Sequence, residues 1–245
     1  MNVLEVQGLT KRYPAFTLNG VSFAVPEGTV MGFIGRNGAG KSTTLKSILG
    51  MVHPDAGEVR VFGKDYAANE RAIRRELGVV LGGIDFYPKK KIRVITDVTR
   101  RFYDNWDENK YRHYLRLFAI DEEKRVDQLS SGMKVKYMIA LALSHNARLL
   151  ILDEPTSGLD PVSRDELTEL LRRLVADGTR SVLFSTHITS DLEKCATHIA
   201  FIKDGELQYT GSLDDFRTHY KDVGATLEDI IVHVERRPLD ESAII

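Results

Sequence analysis

The octapeptide Gly35-Arg36-Asn37-Gly38-Ala39-Gly40-Lys41-Ser42 constrains this chain more than any other feature. It comes after a short apolar run, Val30 to Ile34, suited to a buried strand. A helical pattern then runs from Lys41 to about Leu49. Strand, G-x-x-x-x-G-K-S, helix is the order of a loop that wraps phosphate. Its glycines let successive backbone N–H groups turn inward. The helix after it adds the partial positive charge of its N-terminus. Lys41 is placed to reach β and γ phosphates, and Ser42 to offer a hydroxyl to Mg²⁺. Gly35, Asn37, Gly38, Ala39, Gly40 and Thr43 complete the candidate contacts.

A second feature complements the first. Leu149-Leu150-Ile151-Leu152 is a continuous apolar strand that ends in Asp153 and Glu154. In α/β sheets the C-terminal strand edge is where ligands bind. Asp153 is the candidate Mg²⁺ carboxylate, acting directly or one ligand removed. Glu154 is the candidate to polarise an attacking water.

The rest of the chain is that of a globular protein. It has 245 residues, 42% hydrophobic and 28% charged, enough apolar material to bury a core. Lys and Arg total 34 against 35 Asp and Glu, a net charge of -1, so no nucleic-acid partner is expected. Cys195 is the sole cysteine, which excludes an intramolecular disulfide and suits a reducing compartment. The first residues lack the basic start and apolar run of a signal peptide. No stretch approaches the roughly 20 apolar residues of a spanning helix.

Strands are expected at Asn2 to Val6, Val21 to Val25 and Glu58 to Phe62. Residues from about 83 to 147 read as mostly helical. There Trp106, Tyr111, Tyr114, Leu115 and Phe118 form a core-facing stripe. After Leu152, a helix beyond Pro161 and a strand at Ser181 to Ser185 give βαβ alternation and a sheet covered on both faces. Lys89, Lys90 and Lys91 read as a solvated loop, with contact to an acidic partner or the anionic inner membrane face as the alternative.

In these residues the chain resembles the ATP-binding cassette (ABC) family, the nucleotide-binding subunits of ABC transporters. Leu129-Ser130-Ser131-Gly132-Met133 resembles the family's signature motif LSGGQ. Gly158-Leu159-Asp160 resembles its D-loop, His187 its switch histidine, and Tyr13 the aromatic that stacks on adenine. The resemblance implies an α/β P-loop NTPase fold: a mixed sheet core, an antiparallel β subdomain and a helical subdomain at about 83–147. The cassette spans 1–221, with a tail at 222–245.

The resemblance also implies a mechanism. Two cassettes face head to tail, with ATP between the phosphate loop of one and Ser130, Ser131 and Gly132 of the other. Asp160 lies at that interface, Glu154 and His187 serve hydrolysis, and ATP and Mg²⁺ are the cofactors. The partners are a multi-span membrane subunit and a second cassette, more readily an identical chain than a different one. The implied location is the cytoplasmic face of the cell membrane. The segments Gly50 to Gly57 and Thr226 to Ile230 resemble bacterial exporters of peptides, antibiotics or lipids. The alternatives are a soluble cassette ATPase and the regulatory half of a heterodimer.

Two departures stand out. Ser131 and Met133 replace the usual glycine and glutamine of the signature. The family's glutamine after the strand Leu77 to Leu81 is replaced by Gly82, which has no side chain to bind metal; water and Asp85 of the same loop are the candidate substitutes.

Overall fold

A computed structural model describes residues 1–81, 87–224 and 226–235. The chain opens with β1 (Asn2–Tyr13) and β2 (Phe16–Pro26), joined by a tight turn. Next, β3 (Val30–Ile34) leads through the phosphate loop into α1 (Lys41–Ile48). Then come β4 (Ala56–Val61), β5 (Lys64–Asp65), α2 (Tyr66–Arg74) and β6 (Leu77–Leu81). Helices α3 (Ile92–Thr99), α4 (Glu108–Leu117) and α5 (Ser131–Ser144) come next. Strands and helices then alternate: β7 (Leu149–Asp153), α6 (Pro161–Leu174), β8 (Ser181–Thr186), α7 (Thr189–Cys195) and β9 (His198–Lys203). The chain closes with β10 (Glu206–Ser212), α8 (Leu213–His219) and α9 (Leu227–Glu235).

β1 runs well past the Val6 expected from alternation. Its pairing with β2 shifts register between Val6 and Leu9 and again between Leu9 and Lys11. Gly8 takes a left-handed φ of 61° there. Such bulges break the period of two without ending the strand, so the pattern stops before the element does.

Two sheets result. The first is antiparallel, in the order β2-β1-β4-β5. The second has the order β10-β9-β3-β8-β7-β6. Its members pair in parallel except β10, which runs antiparallel to β9. Every residue of β3, β7 and β8 is buried, as parallel strands covered on both faces require. One apolar core fills the space between the two sheets and α1, including Leu4, Leu18, Phe33 and Leu45. A second lies on the opposite face, under α5, α6 and α7. There α7 approaches β3 closely: a β-carbon on Gly32 would fall 1.9 Å from Leu192 Cδ2. Any side chain at Gly32 would have to displace that leucine.

The helical region has its own small core of Ile92, Ile95, Tyr111, Leu115, Tyr137 and Leu141, among others. Trp106 and Phe118 pack against it, whereas Tyr114 packs on the core under α5 and α6. The Thr96 hydroxyl bonds both phenols, Tyr111 at 2.8 Å and Tyr137 at 2.9 Å. At the far end of the chain, α9 lies against α7 and buries Leu227 and Ile230.

The strand order places the reactive segments. β3, β8 and β7 are consecutive neighbours, with Ile34 beside Thr186 and Ser185 beside Asp153. The phosphate loop, the Asp153-Glu154 pair and His187 therefore leave one sheet edge side by side.

Candidate functional site

The loop after β3 turns through two left-handed glycines, Gly38 at φ 86° and Gly40 at φ 112°. A side chain at either would be strained. Gly40 is also crowded, since a β-carbon there would lie 2.9 Å from the Phe16 ring. Lys41 is 5% exposed and directs its ammonium back over the loop. Its Nζ donates to Gly35 O at 2.7 Å and Arg36 O at 3.2 Å, and lies 3.1 Å from Glu154 Oε1.

Glu154 completes the pocket from the end of β7, which β8 separates from β3. Its Oε2 lies 2.8 Å from His187 Nδ1. One carboxylate thus engages the loop lysine through one oxygen and the histidine through the other. Its backbone is left-handed, with φ 49°. That geometry costs about 1–3 kcal/mol for a residue other than glycine and persists only where surroundings enforce it. Here Glu154 N donates to Ser185 Oγ at 2.9 Å and to Ser185 O at 3.2 Å. Ser185 Oγ in turn donates to Asp153 Oδ1 at 2.5 Å.

The cavity at this edge has a volume of about 310 Å³. Its walls comprise Phe16, residues 36–38, residues 40–43 and Glu154. Ala39 is buried beneath the loop and donates its N–H to Arg36 O at 3.1 Å.

Tyr13 stands differently. It is 41% exposed at the end of β1 and is not among the lining residues. Phe16, its cross-strand partner, is. Directly opposed residues of an antiparallel pair share a face. The hairpin thus presents two aromatic rings, and the sequence resemblance points to the outer one. The signal for Phe16 lies in the turn: Pro14-Ala15 places it opposite Tyr13.

The signature residues occupy another place. Ser130 caps α5 by accepting from Met133 N at 3.2 Å. Asp160 caps α6, accepting from Val162 N at 3.1 Å, Ser163 N at 3.0 Å and Ser163 Oγ at 2.6 Å. These bonds, the Ser163 hydroxyl foremost, hold its carboxyl below the usual range. The two caps are neighbours, since a β-carbon on Gly132 would lie 3.2 Å from Ser163. Ser130, Ser131, Gly132 and Asp160 are absent from the walls of the phosphate-loop cavity of their own chain. Gly82 and Asp85 lie outside the described residues.

Residues 18–157 match the family described as ABC transporter. This chain belongs to that family. The bacitracin transport ATP-binding protein BcrA of Bacillus licheniformis is 33% identical over 208 residues, covering 84% of this chain and 68% of BcrA. The Nod factor export ATP-binding protein I of Burkholderia orbicola is 36% identical over 208 residues, covering 82% and 68%. A solved ATP binding subunit of an ABC transporter superposes with a TM-score of 0.84 at 30% identity, covering 96% of this chain and all of that one. The fold is therefore that of an ABC ATPase cassette, and the chain is the ATP-binding subunit of an ABC transporter. Among the described residues no helix of this cassette is long and apolar enough to cross a membrane.

The donor set also bears on Mg²⁺. No group of three or more His, Cys, Asp or Glu side chains converges among the described residues. That fits a cation that nucleotide phosphates and water hold in part, because such Mg²⁺ needs only one or two protein oxygens. Ser42 and Asp153 offer oxygen donors of that kind.

Proposed function

We propose that this cassette hydrolyses ATP and that two copies, closing on ATP, drive export of a peptide, antibiotic or lipid-like substrate through a separate multi-span membrane subunit. The observation that carries the hydrolysis reading is the double engagement of Glu154 by Lys41 and His187 at the mouth of a phosphate-sized loop.

The loop N–H groups and the start of α1 would hold the phosphate chain, and Lys41 would bridge its β and γ groups. Mg²⁺, held by Ser42 and Asp153, would neutralise charge on those phosphates. Glu154 orients the water that attacks the γ-phosphorus while the bond to the ADP oxygen breaks. His187 holds the Glu154 carboxylate and contacts the transferred phosphate. Phe16 and Tyr13 offer the adenine an aromatic face.

A second copy supplies the other wall. The capped ends of α5 and α6 carry Ser130, Ser131, Gly132 and Asp160 away from their own cavity, which suits contact with ATP bound to a partner. Identical chains supply both halves in this reading. The names of BcrA and of the Nod factor protein support the transport and export direction. The membrane subunit has a surface to grip. A cleft of about 420 Å³ lies between the core and the helical region, with Met51, Leu81, Tyr103 and Met138 among its lining. Docking there would hold the chain at the cytoplasmic face of the membrane.

Two experiments test this. Phosphate release from ATP by the purified chain tests hydrolysis. Gentle solubilisation of native membranes with a tagged chain tests transport. A multi-span protein in near-equal amount supports it, and ribosomal proteins in its place overturn it.

A further inference from the structure

Behind the site lies a buried polar cluster that takes no part in the hydrolysis steps. Asp191, in the first turn of α7, is 0% exposed. Among the described residues neither of its carboxylate oxygens makes a well-formed hydrogen bond. Its nearest cation is Arg164 on α6, whose Nε lies 3.9 Å from Asp191 Oδ1 and is itself buried and unpartnered. Thr156 sits beside the same carboxyl, fully buried, and its hydroxyl also lacks a well-formed hydrogen bond. Burial pushes the Asp191 carboxyl up, and the neighbouring Thr156, Arg164, Lys194 and His187 oppose that shift. Unsatisfied buried polar groups are rare and costly, so three meeting at one point need an explanation.

Their positions in the chain supply it. Thr156 is two residues past Glu154. Arg164 is in the first turn of α6, and its N–H donates to Asp160 O at 3.0 Å. Asp191 is four residues past His187. The cluster thus joins the three segments that carry the acid, the interface cap and the histidine. The α7 helix that bears Asp191 is seated against β3 at Gly32, and Lys194 ties it again to Asp165 of α6 at 2.6 Å. Movement of Asp191 relative to Thr156 is therefore movement of His187 relative to Glu154.

We propose that Asp191 is a positioning residue for ATP hydrolysis: with Arg164 and Thr156 it fixes His187 against Glu154. This rests on the hydrolysis reading of the site. Asp191 is fully buried and does not line the phosphate-loop cavity, so it acts on turnover through His187 and leaves nucleotide affinity alone.

The test is a double-mutant cycle in the full chain, measuring kcat, KM for ATP and the melting temperature. Asp191→Asn keeps the shape and removes the charge. In the wild-type background it is expected to lower kcat by about tenfold or more, with KM within about twofold. In a His187→Ala background the same change is expected to cost less than about twofold further, because the group it positions is gone. A change confined to KM, an unaltered kcat, or the same fold-loss in both backgrounds overturns the proposal. If Asp191→Asn does not fold, Thr156→Val carries the same cycle with the same criteria. A folded wild-type chain that does not hydrolyse ATP overturns the hydrolysis reading instead, so the two failures are distinct.

Discussion

The hydroxyl of Ser185 donates to Asp153 Oδ1 at 2.5 Å and accepts from the backbone N–H of Glu154 at 2.9 Å. One fully buried side chain on β8 thus fixes both acids at the end of β7. Ser185→Ala leaves the N–H of a strained residue with one acceptor fewer. We expect a stability loss of roughly 1–2 kcal/mol and a drop in kcat larger than any change in ATP affinity. Thermal melting and steady-state kinetics on the same preparation check both.

Glu154→Gln is expected to cut phosphate release by at least about a hundredfold, the range for loss of a positioned base. ATP binding should survive, and a nucleotide-bound dimer should accumulate on size-exclusion chromatography. Unchanged hydrolysis would remove Glu154 from its assigned role.

Lys41→Ala removes the ammonium that caps the loop. ATP affinity is expected to fall by about tenfold or more, since charge-assisted bonds to phosphate contribute roughly 1.5–3 kcal/mol each. Titration calorimetry reads this directly, and retained affinity would count against the loop.

Two aromatic residues allow a ranking. Phe16 lines the cavity and Tyr13 does not, so Phe16→Ala should weaken ATP binding more than Tyr13→Ala. The opposite order would restore Tyr13 as the principal adenine contact.

His145 provides a pH test away from the site. It is 2% exposed, stacked on Tyr103 at 3.8 Å between ring centroids, and bonded through Nδ1 to Arg75 O at 3.2 Å. Burial lowers its pKa from 6.5 to about 4. The unfolded chain binds the proton first as pH falls, so this contribution is intact above 6.5 and is lost progressively towards about 4. The loss at the acid end is roughly 3 kcal/mol. Chemical denaturation across this range should show a shallower slope for His145→Gln than for wild type.

The elements legible in the sequence are those whose chemistry is local. Gly35 to Ser42 and Leu149 to Glu154 carry strand, turn and reactive groups within a few residues, and each lies where its pattern put it. The stripe holding Tyr111 and Leu115 is legible for the same reason, since helical periodicity needs no partner. What escaped depends on contacts between distant segments. Phe16 is a pocket residue only because a hairpin folds it over Gly40. Ser185 matters only because β8 lies beside β7. Asp191 sits in a helix too short to show a period, and its neighbours Thr156 and Arg164 are far off in the chain. β1 outran its own pattern because bulges near Gly8 reset the alternation.

The contact between Lys41 and Glu154 sets a condition on the chemistry. The ammonium lies 3.1 Å from one carboxylate oxygen and His187 holds the other, so neither oxygen is left to orient a water. Any phosphate that draws the ammonium to itself leaves the carboxylate freer to act. Arrival of substrate and readiness of the base are thereby one event. A cassette built this way has little means to activate water while its loop is idle.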